Sequence, residues 1–431
     1  MADNKAPEQL GLCSKRLQRV SDWLQLQVSS GRLAGASSLV GRRGKTAYFD
    51  AAGFADQEQK RDFTRDTIVR IFSMTKPITS VAAMMLYERG LFQLDDPIAR
   101  YLPEFADTPV WTGGSADISS TEKQQQFITV RQLMNHTSGL TYEFMRSSPV
   151  DALYRERGIN FQGNEGTLEQ MVVKLAEAPL LCQPGTQWNY SVSTDVLGRL
   201  VEVWSGVSLR EFFIREILQP LNMHDTDFSV AEDNVHRFSA LYGPAGGGGL
   251  GNVGRSASRA NSAETLSEKE IAPLELLDAP DGSRYTQPAG VYSGGGGLTG
   301  SIDDYARFCQ MLLNGGELDG VRLLSPLTLK YMCTNQLPDN ADMAAMGQPV
   351  WSETNYDGIG FGLGFAVVLD PVKAHVITSP GESHWGGAAS TFFWIDPAQE
   401  LYTVLFTQLM PSSTYPLRRE LRTRVYQSII Q

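Results

Sequence analysis

The sequence predicts an α/β (α+β) fold: an antiparallel sheet flanked by helices, built from both chain ends and interrupted by a mostly helical insertion. Three observations carry this expectation. The chain opens on a helical apolar pattern and two short extended runs. It closes on further extended runs and a last helical pattern, and the long middle is helical with little strand periodicity. The expected division is a discontinuous α/β domain of residues 12–72 and 290–431 and a mostly helical domain of 73–289, with the active site in the cleft between them.

In order along the chain, Leu17, Val20, Leu24 and Val28 recur at helical spacing with Gly31 behind them, which predicts an N-terminal helix. Runs 37–42 and 45–50 flank Arg43-Gly44 and predict a hairpin. From Ser73 the pattern turns helical, with Ile78, Val81, Ala82, Met85 and Leu86 on one face and Gly90 placed to end it. Pro77 is tolerated if it falls in the first turn, where its missing N–H costs little. In the middle, 129–134 and 193–204 read as helices, and Thr129-x-x-Gln132 resembles a capping box. Ser301-x-x-Asp304 has the same form and opens a helix running to about Leu313. Strands are expected at 361–369, 372–378, 391–395 and 401–406, separated by Asp370-Pro371 and Asp396-Pro397 turns. Leu417, Leu421, Val425 and Ile429 predict a closing helix.

At 431 residues and 42% hydrophobic content the chain can bury a large core. A formal charge of -11 without a sustained Lys/Arg run argues against nucleic acid or an anionic membrane as partner. Cys13, Cys182, Cys309 and Cys333 are scattered without C-x-x-C spacing, so buried free thiols are expected, and neither a disulfide framework nor a metal site. The first residues lack the apolar stretch of a signal peptide, and no apolar run is long enough to cross a membrane. A cytoplasmic location is the expectation.

Two matches to G-x-G-x-x-G occur, at 249–254 and 295–300. The first leads into a polar run with no helix to receive a phosphate. The second follows no buried strand, so a flexible loop and a close backbone crossing are the readings, and no nucleotide cofactor is expected. A Ser-His-Asp triad is disfavoured, because there is no G-x-S-x-G elbow and the chain has five histidines, of which His136 and His384 stand in informative contexts. The glycine- and serine-rich stretch 243–270 reads either as a flap beside the cleft or as a surface excursion.

Ser73-Met74-Thr75-Lys76 places a lysine one turn after a serine. Average frequencies give roughly one or two S-x-x-K matches by chance in a chain this long. This chain has two, the other being Ser120-Thr121-Glu122-Lys123 in a polar stretch. Ser73, by contrast, opens an amphipathic helix, where positions three apart have β-carbons roughly 5–6 Å from one another. A lysine near its ordinary pKa of about 10.4 is a poor base at neutral pH. Burial or a neighbouring cation lowers that value, and a tyrosine hydrogen-bonded to the lysine can carry the proton to a leaving group.

Together, I71-F-S-M-T-K76, N135-H-T-S-G-L140, P184-G-T-Q-W-N-Y-S191 and S293-G-G-G-G-L-T-G300 resemble the serine β-lactamase-like superfamily, over nearly the whole chain. The superfamily includes class C β-lactamases, D-alanyl-D-alanine peptidases, family VIII carboxylesterases and related acyltransferases. The resemblance implies a β-lactamase/transpeptidase-like fold, Ser73 as nucleophile, Lys76 as its proton partner and Tyr190 as general base and acid. Where the superfamily carries K-T-G, this chain has Trp385-Gly386-Gly387, a substitution resembling family VIII esterases. It removes the cation for a β-lactam carboxylate, adds an aromatic wall, and lets the backbone approach a ligand closely. The resemblance also implies an oxyanion hole from the backbone N–H groups of Ser73 and Ala388. Tyr190-Ser191-Val192 replaces Y-x-N, so Val192 stands where an amide would contact a β-lactam. The expected function is therefore hydrolysis of short- to medium-chain esters through an acyl-enzyme, with a small-molecule ester as partner and no cofactor. Acyl transfer to an alcohol is the close alternative. A β-lactamase or peptidase, and a non-catalytic scaffold relative, are the remaining ones.

Overall fold

Strands β1 (Gly35–Arg42) and β2 (Lys45–Asp56) form the expected hairpin. Its two-residue turn, Arg43-Gly44, holds φ of 50° and 76°, the left-handed pair that matches the twist of two antiparallel strands. The short β3 (Arg61–Asp62) extends that edge. The other strands come from the far end of the chain: β4 (Ile359–Phe361), β5 (Ala366–Val368), β6 (Ser383–Gly386), β7 (Phe392–Asp396) and β8 (Leu401–Thr407). They join into one eight-stranded sheet in the order β4-β5-β6-β7-β8-β1-β2-β3, antiparallel throughout. The seam between the two chain ends is the β1–β8 ladder, in register from Ala36 opposite Thr407 to Arg42 opposite Leu401. This computed structural model describes residues 6–247, 249, 271–347, 356–412 and 414–431.

Every residue of β1 and β8 is buried, as strands covered on both faces must be. Alternation sorts their side chains. Val40, Phe392, Trp394 and Leu405 pack with Leu17, Val20 and Leu24 of helix α1 (Ser14–Ser29) and with Leu421 and Val425 near the C-terminus. Leu39, Phe393, Ile395, Val404 and Phe406 face the other way, into the cluster that holds helix α2 (Thr75–Glu88), helix α3 (Ser193–Ser205) and helix α4 (Ile302–Leu313). The closing helix, α5 (Leu417–Tyr426), lies on the α1 side.

Thr129 and Gln132 form the reciprocal capping box expected of them. Ser301 and Asp304 do not. Ser301 is the N-cap of α4 without a side-chain bond, because the Asp304 carboxylate accepts instead from Asp225 N at 2.7 Å and Thr226 Oγ1 at 2.8 Å. The single strand expected at 361–369 is a hairpin, β4–β5, bent at Gly364 with φ of 97°. The strand expected at 372–378 is a turn. Asp370 draws the N–H groups of Val372 and Lys373 to its carboxylate and that of Ala374 to its carbonyl, which takes them from any ladder. Val372 and Ile377 are left exposed, and the neighbouring strand falls later, at β6. In the helical middle, Leu241–Pro244 pairs with Leu274–Asp278, a ladder that the apolar pattern concealed. The stretch proposed as a flap lies mostly outside the described residues, as does the first glycine motif beyond Gly249. The four cysteines are free, but Cys13 and Cys333 are only partly buried.

Behind β6 lies a buried ionic cluster. Glu382, with no exposed surface, takes the Arg422 guanidinium at 2.5 Å and lies 2.9 Å from His384 Nδ1. Burial alone would raise the Glu382 carboxyl, but Arg422 and His384 together outweigh it and hold the pKa at about 2, below the ordinary 4.5. A depressed carboxyl pKa contributes stability that is complete above the ordinary value and fades as pH falls toward the folded value. Glu382→Gln is expected to cost about 3–5 kcal/mol at pH 7 and to flatten the decline in stability between pH 4.5 and 2. Urea unfolding across that range tests this, and identical curves for both proteins would contradict it.

Candidate active site

Ser73 is the middle residue of a short 3-10 turn, Phe72–Met74, that runs directly into α2. The residue before it, Phe72, has φ of 43°, a left-handed value that an L-residue adopts only when its surroundings force it. Those surroundings are the Ile71 N–H bonded to Leu298 O at 3.1 Å and the Met74 N–H bonded to Ile71 O at 3.0 Å. Pro77 falls in the first turn of α2, so it removes no needed hydrogen bond.

One turn on, Lys76 is 1% exposed, and its amine has three partners. It lies 3.2 Å from Ser73 Oγ, 2.8 Å from the Tyr142 hydroxyl and 2.6 Å from Gly295 O. Burial lowers the lysine pKa to about 7, against the upward pull of Asp195. Tyr190 donates to Ser73 Oγ at 2.6 Å, so the serine oxygen sits between the lysine and the tyrosine. The amine also lies 4.5 Å from the centre of the Tyr190 ring. Burial raises the Tyr190 pKa, which keeps its proton on the oxygen in the resting site. Asp195, on α3, is equally buried. Its Oδ1 accepts from Ser293 Oγ at 2.5 Å and from Gly295 N at 3.0 Å, and burial raises its pKa.

The glycine segment is a close crossing. A Cβ at Gly295 would stand 2.4 Å from Asp195 Oδ2, and one at Gly294 would stand 2.7 Å from Thr194 O. That closeness delivers the Gly295 carbonyl to Lys76.

On the opposite side stands β6. Its neighbour β5 pairs with Ser383 and His384 only, which leaves the Trp385-Gly386 backbone laddered to β7 alone among the described residues. The Trp385 ring is 5.4 Å from that of Tyr190 and 5.2 Å from that of Phe361, as an aromatic wall requires. Gly387 is forced: a Cβ there would meet Thr391 Oγ1 at 2.2 Å and Ile71 O at 2.4 Å. This contact brings Ala388 against the nucleophile turn, where it packs with Phe72. Among the described residues the backbone N–H groups of Ser73 and Ala388 have no hydrogen-bond partner.

Val192 has no exposed surface. It is the N-cap of α3 with its N–H on Thr141 O at 3.2 Å, so it packs in the core behind Tyr190 and offers a substrate no open face. Ser120 and Lys123 are exposed and sit in no helix, so the duplicate S-x-x-K is not a pair of this kind. His136 is buried with Nδ1 3.2 Å from Ser191 Oγ, and burial lowers its pKa. It supports the Tyr190 ring from 5.1 Å. Two residues of this site went unnoticed in the sequence. Tyr142 stands two positions beyond Leu140, outside the N-H-T-S-G-L box as read. Asp195 carries no motif at all; its five-residue spacing from Tyr190 on an incipient helix was the available signal.

No group of three or more His, Cys, Asp or Glu side chains placed to hold a metal occurs among the described residues. No helix among them is long and apolar enough to cross a membrane.

The fold and the serine–lysine–tyrosine cluster at the head of α2 define an α/β protein of the β-lactamase/transpeptidase type. The Beta-lactamase family model matches residues 20–427, and the chain belongs to that family. It is 34% identical over 400 residues to the Esterase EstB of Burkholderia gladioli, covering 92% of this chain and 91% of that one. Among solved structures it resembles EstCE1, described as a hydrolase with promiscuous acyltransferase activity, with a TM-score of 0.76 and 28% identity over 97% of this chain and 99% of that one. Simvastatin synthase (LovD) from Aspergillus terreus superposes with a TM-score of 0.75 and 25% identity, over 96% of this chain and 98% of its own. The family is thus one of β-lactamase-fold hydrolases with esterase and acyltransferase relatives.

Gly387→Ala is expected to push β6 away from the nucleophile turn and to cost about 1–3 kcal/mol, read by urea unfolding. Unchanged stability would show that this approach is looser than described.

Proposed function

We propose that the protein is a serine carboxylesterase acting on short- to medium-chain carboxylic esters through an acyl-enzyme. The observation that carries the reading is the Ser73 oxygen held 3.2 Å from a buried lysine amine and 2.6 Å from a tyrosine hydroxyl. With its pKa near 7, Lys76 is substantially neutral at physiological pH and is the stronger base of the two. Lys76 takes the Ser73 proton as Oγ attacks the ester carbonyl, and the oxyanion is met by the N–H groups of Ser73 and Ala388. Each such donor is worth about 10²–10³ in rate. Tyr190 gives its proton to the departing alcohol and is reprotonated from Lys76. Water then repeats the sequence on the acyl-enzyme, and Ser73 Oγ leaves with a proton.

An ester is favoured over a β-lactam because Trp385-Gly386-Gly387 supplies a wall and no cation. The aromatic rings of Trp188, Tyr190, Phe361 and Trp385 pack around the site, at 5.2–6.3 Å between neighbouring centres, and suit an apolar acyl group. The second reading, acyl transfer to an alcohol, is supported by the relatives described as acyltransferases. It needs the same acyl-enzyme and differs in which nucleophile reaches it.

Ser73→Ala is expected to lower hydrolysis of a chromogenic short-chain ester by at least about 10³-fold. Ser120→Ala is expected to stay within about twofold of the native protein. Equal rates for native and Ser73→Ala protein would sink the mechanism. Adding an acceptor alcohol and measuring new ester against free acid separates the readings: acid in excess supports the esterase, new ester in excess the transferase.

A further inference from the structure

The Trp385 indole carries, besides its flat face, an N–H donor that a wall does not need. The ring is buried and held on two sides, by Tyr190 at an interplanar angle of 51° and by Phe361 edge-on at 88°. Its backbone is fixed in register opposite Phe393 of β7. Among the described residues the indole N–H closes no hydrogen bond of ordinary geometry. A buried donor left open is unfavourable, and a tryptophan N–H usually finds a partner. The acceptor at hand is the Tyr190 oxygen. Burial raises the Tyr190 pKa, Ser73 draws it down and so does Trp385, whose N–H therefore bears on the phenol oxygen without a closed bond at rest.

The single proton of the phenol is committed to Ser73 Oγ at 2.6 Å, which leaves oxygen lone pairs for a second group. The Lys76 amine is bonded to Ser73, Tyr142 and Gly295, and it stands 4.5 Å from the centre of the Tyr190 ring. Once Ser73 has attacked an ester, its Oγ is bonded to carbon and has no proton to give. When the bond to the alcohol breaks, its electron pair goes to the alcohol oxygen, which takes the Tyr190 proton. A buried phenolate is left until the Lys76 ammonium returns a proton to it. A buried anion needs donors. A fixed donor aimed where that charge develops lowers the barrier, and one that is idle at rest acts on that step alone.

We infer that the Trp385 indole N–H closes onto the Tyr190 oxygen as the phenolate forms, and so fits the site to esters of unactivated alcohols, whose departure requires a proton. Being neutral, the indole leaves the phenol protonated at rest, where a cation in the same place would favour the phenolate and remove the acid. Trp385 acts through Tyr190, as a positioning residue for the acid step. The inference rests on the acyl-enzyme reading and deepens it.

Ethyl butanoate and trifluoroethyl butanoate test it. They share an acyl group and nearly share a shape, but the second releases a far more acidic alcohol that depends less on Tyr190. Trp385→Phe keeps a ring and removes the N–H. Its ratio of kcat/KM values, ethyl over trifluoroethyl, is expected to fall about fivefold or more below the native ratio. Loss of a wall alone would lower both esters alike and leave the ratio as it was. Trp385→His, which keeps a ring N–H, is expected to recover part of the ratio. If Trp385→Phe does not fold, Trp385→Met, which fills space without an N–H, carries the same comparison. Ser73-dependent turnover of both esters at an unchanged ratio in the variant lacking the N–H overturns the inference alone. No Ser73-dependent turnover of either ester by the native protein overturns the acyl-enzyme reading with it.

Discussion

Burying the Lys76 amine is the constraint on which the site depends. At 1% exposure an ammonium loses nearly all of its hydration, and the protein must either neutralise it or surround it with acceptors. This protein does some of each. Gly295 O, the Tyr142 oxygen and Ser73 Oγ accept around the nitrogen, while Asp195 supplies a negative charge at longer range. The balance leaves the lysine near pH 7, where it can gain or lose a proton at little cost. Fewer acceptors would leave it permanently neutral, and a direct ion pair would leave it permanently charged.

The architecture follows from that need. Three stretches far apart in the chain must meet at one nitrogen: the first turn of α2, the loop carrying Tyr142 ahead of α3, and the glycine crossing at Gly294–Gly297. Glycine is required at the crossing because any side chain at Gly295 would displace Asp195. A fourth stretch, β6, must reach the same place from the sheet, and Gly387 allows it to touch the Ile71 carbonyl. Behind β6 the Glu382–Arg422 pair anchors the chain one residue before the strand, and Glu382 also reaches His384 within the strand that carries Trp385.

Much of this was legible in the sequence. Short extended runs and the Arg43-Gly44 and Asp396-Pro397 turns between them indicated the sheet's central strands, because so short a connection leaves neighbouring runs to pair antiparallel. The resemblance of four short boxes brought Ser73, Lys76, Tyr190 and Trp385 together, and the structure places them within contact of one another. What escaped is what depends on three-dimensional closure. Residues 372–378 have a strand's composition, yet the Asp370 side chain captures their N–H groups, a local competition that periodicity does not register. Tyr142 and Asp195 act through distance to an amine supplied by another helix. Val192, expected beside a substrate, has no exposed surface, and its N–H is held by Thr141 O ahead of a first turn that is itself buried, a placement that its position after Tyr190 does not announce.

The measurement that bears most directly on the lysine is the pH dependence of labelling by a serine-directed fluorophosphonate, with the adduct located by peptide mass spectrometry. A buried lysine near neutrality predicts a single adduct at Ser73 whose rate rises with pH through a midpoint near 7. A midpoint near the ordinary lysine value of about 10.4, or an adduct at Ser120, would contradict the account.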